Sequence, residues 1–243
     1  MKFGFSTGVF DTLSPLSLLD RLEILSKTRT PNIEIGFARL ERFENFDLDE
    51  SPQELKQYLD TYERVSLHAP KFFYQSDVAT DKVFEKISKV HKLHPLDLVV
   101  FHPDMIKDFS VFTDLEFPVA FENMDEEKKS YRTVMDMESI LSKNSKFKMV
   151  LDVNHVFRND PTMKSAKEFF DALGSAIDEI HLSGSIKKHD PLFLTKQNFI
   201  AEAIVDLEIP IIIESTLTAE QINMEKEYVS NLLQSIEKER PNV

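Results

Sequence analysis

KMVLDV (148–153) is a short apolar run that ends on a carboxylate, Asp152, and passes directly into polar Asn154 and His155. Its length and β-rich composition are those of a strand. Seven further runs of the same kind recur along the chain: KFGFST (2–7), NIEIGF (32–37), RVSLHA (64–69), DLVVFH (97–102), PVAFEN (118–123), DEIHLS (178–183) and PIIIES (210–215). Most start about 30 residues after the one before, the length of one strand–loop–helix unit. The exception lies between DLVVFH and PVAFEN, where only a stunted helix fits.

The spacers carry helical signals. Ser14-Pro15 and Ser51-Pro52 each put an N-cap before a proline at the first helical position. Glu54, three residues after Ser51, completes the pattern of a capping box. Further helices are predicted over 76–93, 131–144, 161–174, 194–206 and 218–238. Strands alternating with helices argue for a parallel sheet, and eight such units argue for closure. An open doubly wound sheet is the alternative, but FSTGVFDTLS (5–14) lacks the G-x-G-x-x-G spacing of its usual phosphate loop. The expected architecture is therefore a single α/β domain over residues 1–243, a (β/α)8 TIM barrel.

Bulk properties narrow the function. The 243 residues suit one barrel, and 42% hydrophobic content suits an ordinary globular core. No apolar run approaches the roughly 20 residues needed to span a bilayer, and the N-terminus does not read as a signal peptide. There is no cysteine, which excludes disulfides and thiolate ligands. A cytoplasmic protein with no membrane partner is expected. The net charge of −13 weighs against broad electrostatic attraction to nucleic acid, although a local basic patch would escape that argument.

The chemistry-bearing residues gather where the strands end. Of seven histidines, His68, His102, His155, His181 and His189 lie at or just beyond strand ends, whereas His91 and His94 sit near the end of a helix and read as solvated surface residues. Glu122, Asp152 and Glu214 end the fifth, sixth and eighth runs. A lone strand-end histidine is most often a hydrogen-bonding residue. A carboxylate inside an apolar strand is harder to dismiss, because burying it uncompensated costs several kcal/mol. In a barrel all these ends converge on one face, and a divalent cation is the simplest common partner. Mixed His/Asp/Glu ligation suits Zn, Mn, Co or Fe(II) better than the all-oxygen cages of Mg or Ca.

In order along the chain, SLHAP, FHP, FENM, LDVNH, IHLSG followed by HDPL, and IIIES resemble the motifs of the xylose isomerase-like barrels, strongly over about 65–215. That superfamily holds sugar and sugar-phosphate isomerases and epimerases, together with the endonuclease IV (AP endonuclease family 2) type of abasic-site nuclease. The resemblance implies a metal quartet of Glu122, Asp152, His181 and Glu214. It implies a second ion on His68 and His102 with Glu122 bridging, and a third on His155 and His189 in the nuclease-like branch. That branch places an aspartate two residues before the later histidine; here Lys187 stands there, a cation suited to gripping a phosphate or carboxylate. His155, Lys187 and His189 then become substrate-binding residues, and one or two divalent ions are expected.

Two functions follow from the resemblance. In an isomerase or epimerase of a small sugar, sugar phosphate or polyol, the metal would stabilise an enediolate while Glu122 and Glu214 move protons on its two faces; a dehydrating lyase uses the same proton abstraction. In a phosphodiester hydrolase of abasic-site DNA, clustered metals would activate water, with Arg39 and Phe72–Phe73 as probe and wedge. Phe72–Phe73 also read as a loop packed on the barrel rim. Lys187, the short loops and the acidic balance favour the first.

Overall fold

The computed structural model describes residues 2–11 and 16–240. Eight parallel strands close a barrel in sequence order: β1 (Phe3–Ser6), β2 (Asn32–Gly36), β3 (Arg64–His68), β4 (Leu98–Phe101), β5 (Val119–Glu122), β6 (Lys148–Asp152), β7 (Ile177–Leu182) and β8 (Ile211–Ile213). The helices are α1 (Leu18–Ser26), α2 (Leu40–Asn45), α3 (Pro52–Leu59), α4 (Val78–Leu93), α5 (Val134–Leu141), α6 (Val153–Asn159), α7 (Lys164–Leu173), α8 (Leu192–Thr195), α9 (Asn198–Glu202) and α10 (Ile222–Glu239). Between β4 and β5 two 3-10 turns, Pro103–Met105 and Phe109–Phe112, replace a helix, as the short spacing there requires. No helix among the described residues is long and apolar enough to cross a membrane.

Local chemistry explains most boundaries and three departures from expectation. The Ser14-Pro15 cap lies outside the described residues. Helix α1 instead begins after Ser17, whose hydroxyl and Asp20 form a reciprocal capping box. Ser51 does precede α3 with Pro52 at its first turn, but its side chain makes no capping hydrogen bond, so the expected box with Glu54 is absent. The single helix expected over 194–206 is two short ones, α8 and α9. Lys196 between them takes a left-handed conformation (φ 57°), which ends α8. Helices α2 and α6 lie outside the expected set; β6 runs straight into α6 because Asp152 is both the last strand residue and the N-cap.

Two cores result. The larger fills the space between the barrel wall and its helices, with Phe101, Phe112, Phe121 and Tyr74 meeting mostly edge to face. The smaller lies inside the barrel, where Leu98, Val100, Ala120 and Val150 form a separate buried cluster from β4, β5 and β6. The inside face of β1–β3 is polar instead, with buried Ser6, Glu34 and Ser66 in register with one another. The barrel interior is thus mainly apolar on the β4–β6 side and mainly polar on the other, where Ile212 of β8 is an apolar exception.

Strands β1 and β2 approach so closely that a Cβ on Gly4 would lie 1.8 Å from the Asn32 carbonyl oxygen. Backbone cannot yield as a flexible side chain can, so Gly4→Ala should destabilise the barrel by about 3 kcal/mol or more. A denaturant midpoint unchanged in this variant would show that β1 and β2 are not so tightly apposed.

Candidate metal centre

Barrel closure carries Glu122, Asp152, His181 and Glu214 to one place. A ligand-type atom from each lies within 4.8 Å of those from the other three, and the same holds for His68, His102 and Glu122. Glu122, 1% exposed, is the hub. Its Oε2 is 2.8 Å from His102 Nε2 and 3.3 Å from His68 Nε2; its Oε1 is 3.4 Å from His181 Nδ1 and 3.5 Å from His155 Nδ1. Glu214 Oε2 closes the ring, 3.4 Å from His181 Nδ1.

Neighbouring groups orient these side chains. Asp152 Oδ1 accepts the backbone N–H of Asn154 (2.7 Å) and of His155 (3.0 Å), leaving Oδ2 buried without a hydrogen-bond partner. Asn123 extends the β5–β6 ladder by one step, its amide donating to the Asp152 carbonyl (3.0 Å) and accepting from the Asp152 N–H (2.8 Å). The Asn123 carbonyl lies 2.8 Å from His155 Nδ1; with the proton there, His155 keeps Nε2 as an acceptor. His189 is placed by Ser183, whose hydroxyl lies 3.1 Å from its Nδ1. Asn154 binds the loop that carries His189 through contacts to Ser183, Gly184 and Lys188.

The charges are strongly perturbed. Burial pushes the Asp152 carboxyl up to about 7. Burial also opposes ionisation of Glu122 and Glu214, but His102 and His181 beside Glu122, and His181 beside Glu214, hold both below the usual carboxylate range. His68 rises to about 9 because its bond to Glu122 and the charges around it outweigh burial, whereas burial and the Lys71 ammonium take His102 down to about 4. His181, ringed by carboxylates, is raised well above its ordinary value despite burial.

Such a donor set fits a divalent cation. Asp152 Oδ2 and His181 Nδ1 are both buried, unpartnered and part of the quartet. A cation there would satisfy both atoms and replace the protons that balance the cluster.

A cleft of about 280 Å³ opens above these groups, lined among others by His68, His102, Glu122, His155, His189, Glu214 and Lys71. Lys187 is not among its walls. Its side chain is exposed and forms no ion pair among the described residues, because the Asp190 carboxylate gathers the backbone N–H groups of Ile186, Lys187 and Lys188 into a tight turn on the outer rim. The cation at the cleft is Lys71, from the loop after β3. Sequence reasoning passes over it because it lies outside the strand-end motifs, directly after SLHAP. No clustered ligand set among the described residues includes His155 or His189.

Two more groups escape the sequence reading. Glu34 in β2 and Glu179 in β7 are fully buried beneath the quartet, within 3.2 and 3.5 Å of His181 Nε2. The signal for Glu34 is present, a carboxylate flanked by Ile33 and Ile35, but attention to strand ends misses a residue in mid-strand. Phe72 packs edge to face on Tyr74, as a rim-packed loop would, while Phe73 is 51% exposed under Lys107. Arg39 lines a separate hollow of about 610 Å³, which shares only Gly36 and Phe37 with the cleft. His91 and His94 are half-buried at the end of α4, bonded to the Leu96 N–H and to Asp60.

No protein-family model and no curated protein sequence matches the chain. Solved structures do. Endonuclease IV from Thermus thermophilus superposes with a TM-score of 0.69 at 13% identity, covering 99% of this chain and 100% of that one. The probable 3-DHS dehydratase of petrobactin synthesis from Bacillus anthracis gives 0.68 at 15%, over 95% and 99%. The 3-keto-D-glucoside 4-epimerase of E. coli gives 0.62 at 13%, over 96% and 99%. The chain shares the closed eight-stranded α/β barrel fold of these structures. In that fold the strand ends meet at one mouth, which is where this chain concentrates its buried charge.

The charge pattern predicts a pH dependence of stability for chelator-treated protein. His68 is raised from 6.5 to about 9, so its contribution is complete below pH 6.5 and is lost as pH climbs through 9. His155 and His181 are raised as well, and act in the same direction. The loss from His68 alone is on the order of 3 kcal/mol. Denaturant midpoints between pH 6.5 and 9.5 should fall without divalent metal and recover with it. A flat profile in chelator would show that these histidines do not carry the balancing charge.

Proposed function

We propose that this chain is a divalent-metal-dependent isomerase or epimerase, or a related proton-abstracting lyase, acting on a small sugar, sugar phosphate or polyol. The observation that carries this reading is the pairing of Glu122 and Glu214 across one small cleft, in the same cluster as Asp152 and His181. At about 280 Å³ the cleft is smaller than the roughly 300–1,000 Å³ usual for drug-sized ligands, as a monosaccharide-sized substrate requires.

Glu122, Asp152, His181 and Glu214 would hold one ion, and His68 and His102 would hold a second with Glu122 between them. Zn, Mn, Co or Fe(II) would suit the mixed donors. A bound ion would supply Lewis-acid polarisation of adjacent carbonyl and hydroxyl oxygens. Glu122 at the end of β5 and Glu214 just beyond β8 both line the cleft, so each would accept a carbon-bound proton on its own side. His155 and His189 line the cleft where they can bond substrate hydroxyls. Lys71 takes the role that the sequence suggests for Lys187, binding a phosphate or carboxylate group.

A second reading is an endonuclease IV-like hydrolase of abasic-site DNA. It is favoured by the His68–His102–Glu122 cluster and by the Thermus endonuclease IV fold. Against it, no clustered ligand set among the described residues includes His155 or His189, and Lys187 supplies no carboxylate near them. Phe72 is engaged in packing and Arg39 lines a separate hollow, so of the expected probe and wedge the exposed Phe73 is the residue left free to meet a duplex.

Metal-loaded protein incubated in D2O with a panel of ketoses, aldoses and their phosphates should catalyse deuterium uptake next to a carbonyl, read by NMR. Glu122→Gln and Glu214→Gln should each slow it by about 10²-fold or more. Lys71→Ala should weaken binding of a phosphorylated ligand by about 1–3 kcal/mol, with Lys187→Ala silent. Chelator-sensitive incision of an abasic duplex with no deuterium uptake would establish the second reading instead.

A further inference from the structure

Beneath the quartet the barrel holds two carboxylates that the proposed chemistry does not use. Glu34 and Glu179 are 0% exposed, and neither lines the cleft, so neither can touch a substrate. Both Glu34 oxygens, Glu179 Oε1 and His181 Nε2 lack a hydrogen-bond partner in the present side-chain orientations. Leaving that many polar atoms unpaired in a dry interior is costly, so they must answer one another or a shared group.

The geometry shows what they share. His181 stands between two acidic layers. Its Nδ1 faces upward, 3.4 Å from Glu122 Oε1 and 3.4 Å from Glu214 Oε2. Its Nε2 faces downward, 3.2 Å from Glu34 Oε2 and 3.5 Å from Glu179 Oε1. Nε2 is within hydrogen-bond distance of Glu34, although the present ring orientation does not aim its N–H at that oxygen. An imidazole that gives its Nδ1 lone pair to an ion must carry its single proton on Nε2, and a carboxylate at that proton fixes the tautomer, fixes the ring plane and makes the ring a stronger donor. Glu179 is less free for this task, since its Oε2 lies 3.4 Å from Arg64 Nε.

We propose that Glu34, backed by Glu179, is a positioning residue for the metal centre. It accepts the Nε2 proton of His181 and thereby commits Nδ1 to the ion held with Glu122, Asp152 and Glu214. This rests on the reading that the quartet binds a divalent ion. It makes β2, which contributes no ligand of its own, part of the metal site.

The test uses the full chain and Zn(II) alone. In the Zn-loaded wild type, long-range 1H–15N NMR should show His181 as the Nε2–H tautomer. Chelator competition should show Glu34→Ala binding Zn(II) about 10–100-fold more weakly. Glu34→Gln keeps an oxygen that can accept from Nε2–H and matches the native volume, so it should bind closer to wild type than Glu34→Ala does. An Nδ1–H tautomer overturns the inference. So does wild-type affinity in Glu34→Ala, or a Gln variant as weak as the Ala variant. If Glu34→Ala does not fold, the tautomer and the Gln variant still decide. A wild type that binds no Zn(II) removes the quartet reading itself, a different failure from a wild type that binds and an Ala variant that binds equally well.

Discussion

The balance of buried charge is what the upper half of this barrel depends on. Glu34, Glu122, Asp152 and Glu179 are each at most 1% exposed, and His181 stands among them at 0%. In such surroundings an unpaired carboxylate costs several kcal/mol, so the cluster is tolerable only if cations or protons are shared through it. His181 meets the need from both sides, with carboxylates facing each ring nitrogen, and His68 and His102 meet it around Glu122. The fold fixes where these groups stand; their charge then dictates what else must be there. A divalent cation would resolve the excess of acid in the quartet.

The rest of the design serves that cluster. Large apolar side chains fill the space outside the barrel, and only Leu98, Val100, Ala120 and Val150 form an apolar cluster within it. The polar side of the interior is left to Ser6, Glu34 and Ser66. Where β6 ends, one aspartate stops the strand, caps the next helix and keeps an oxygen for the site. That economy brings His155 Nδ1 to 3.4 Å from Asp152 and 3.5 Å from Glu122 with no loop between. Neighbours of the same fold include an epimerase, a dehydratase and an endonuclease. The barrel therefore does not choose the reaction; the groups at its mouth do.

The strands are legible because each is a short apolar run punctuated by polar residues, and their even spacing announces closure. The quartet is legible because carboxylates and histidines at apolar strand ends have few innocent explanations. What escapes is governed by tertiary context. Glu34 carries the same signature as Glu122, but only barrel closure shows that it lies beneath His181. Helix α6 is hidden because Asp152 reads as a strand end until its side chain is seen capping Asn154 and His155. Distance from His189 along the chain points Lys187 at the cleft, yet the turn gathered by Asp190 carries it outward, and Lys71 occupies the space instead. Residue spacing predicts position along a strand well and direction in a loop poorly, because a loop's course depends on hydrogen bonds that spacing does not encode.

The central claim is that the buried quartet is a metal site, and anomalous diffraction from crystals grown with Mn(II) or Zn(II) tests it most directly. The account predicts an edge-specific peak about 2.0–2.3 Å from an oxygen or nitrogen of each of Glu122, Asp152, His181 and Glu214. No peak among these four residues, or a peak that leaves Asp152 and His181 out of its coordination, would contradict it.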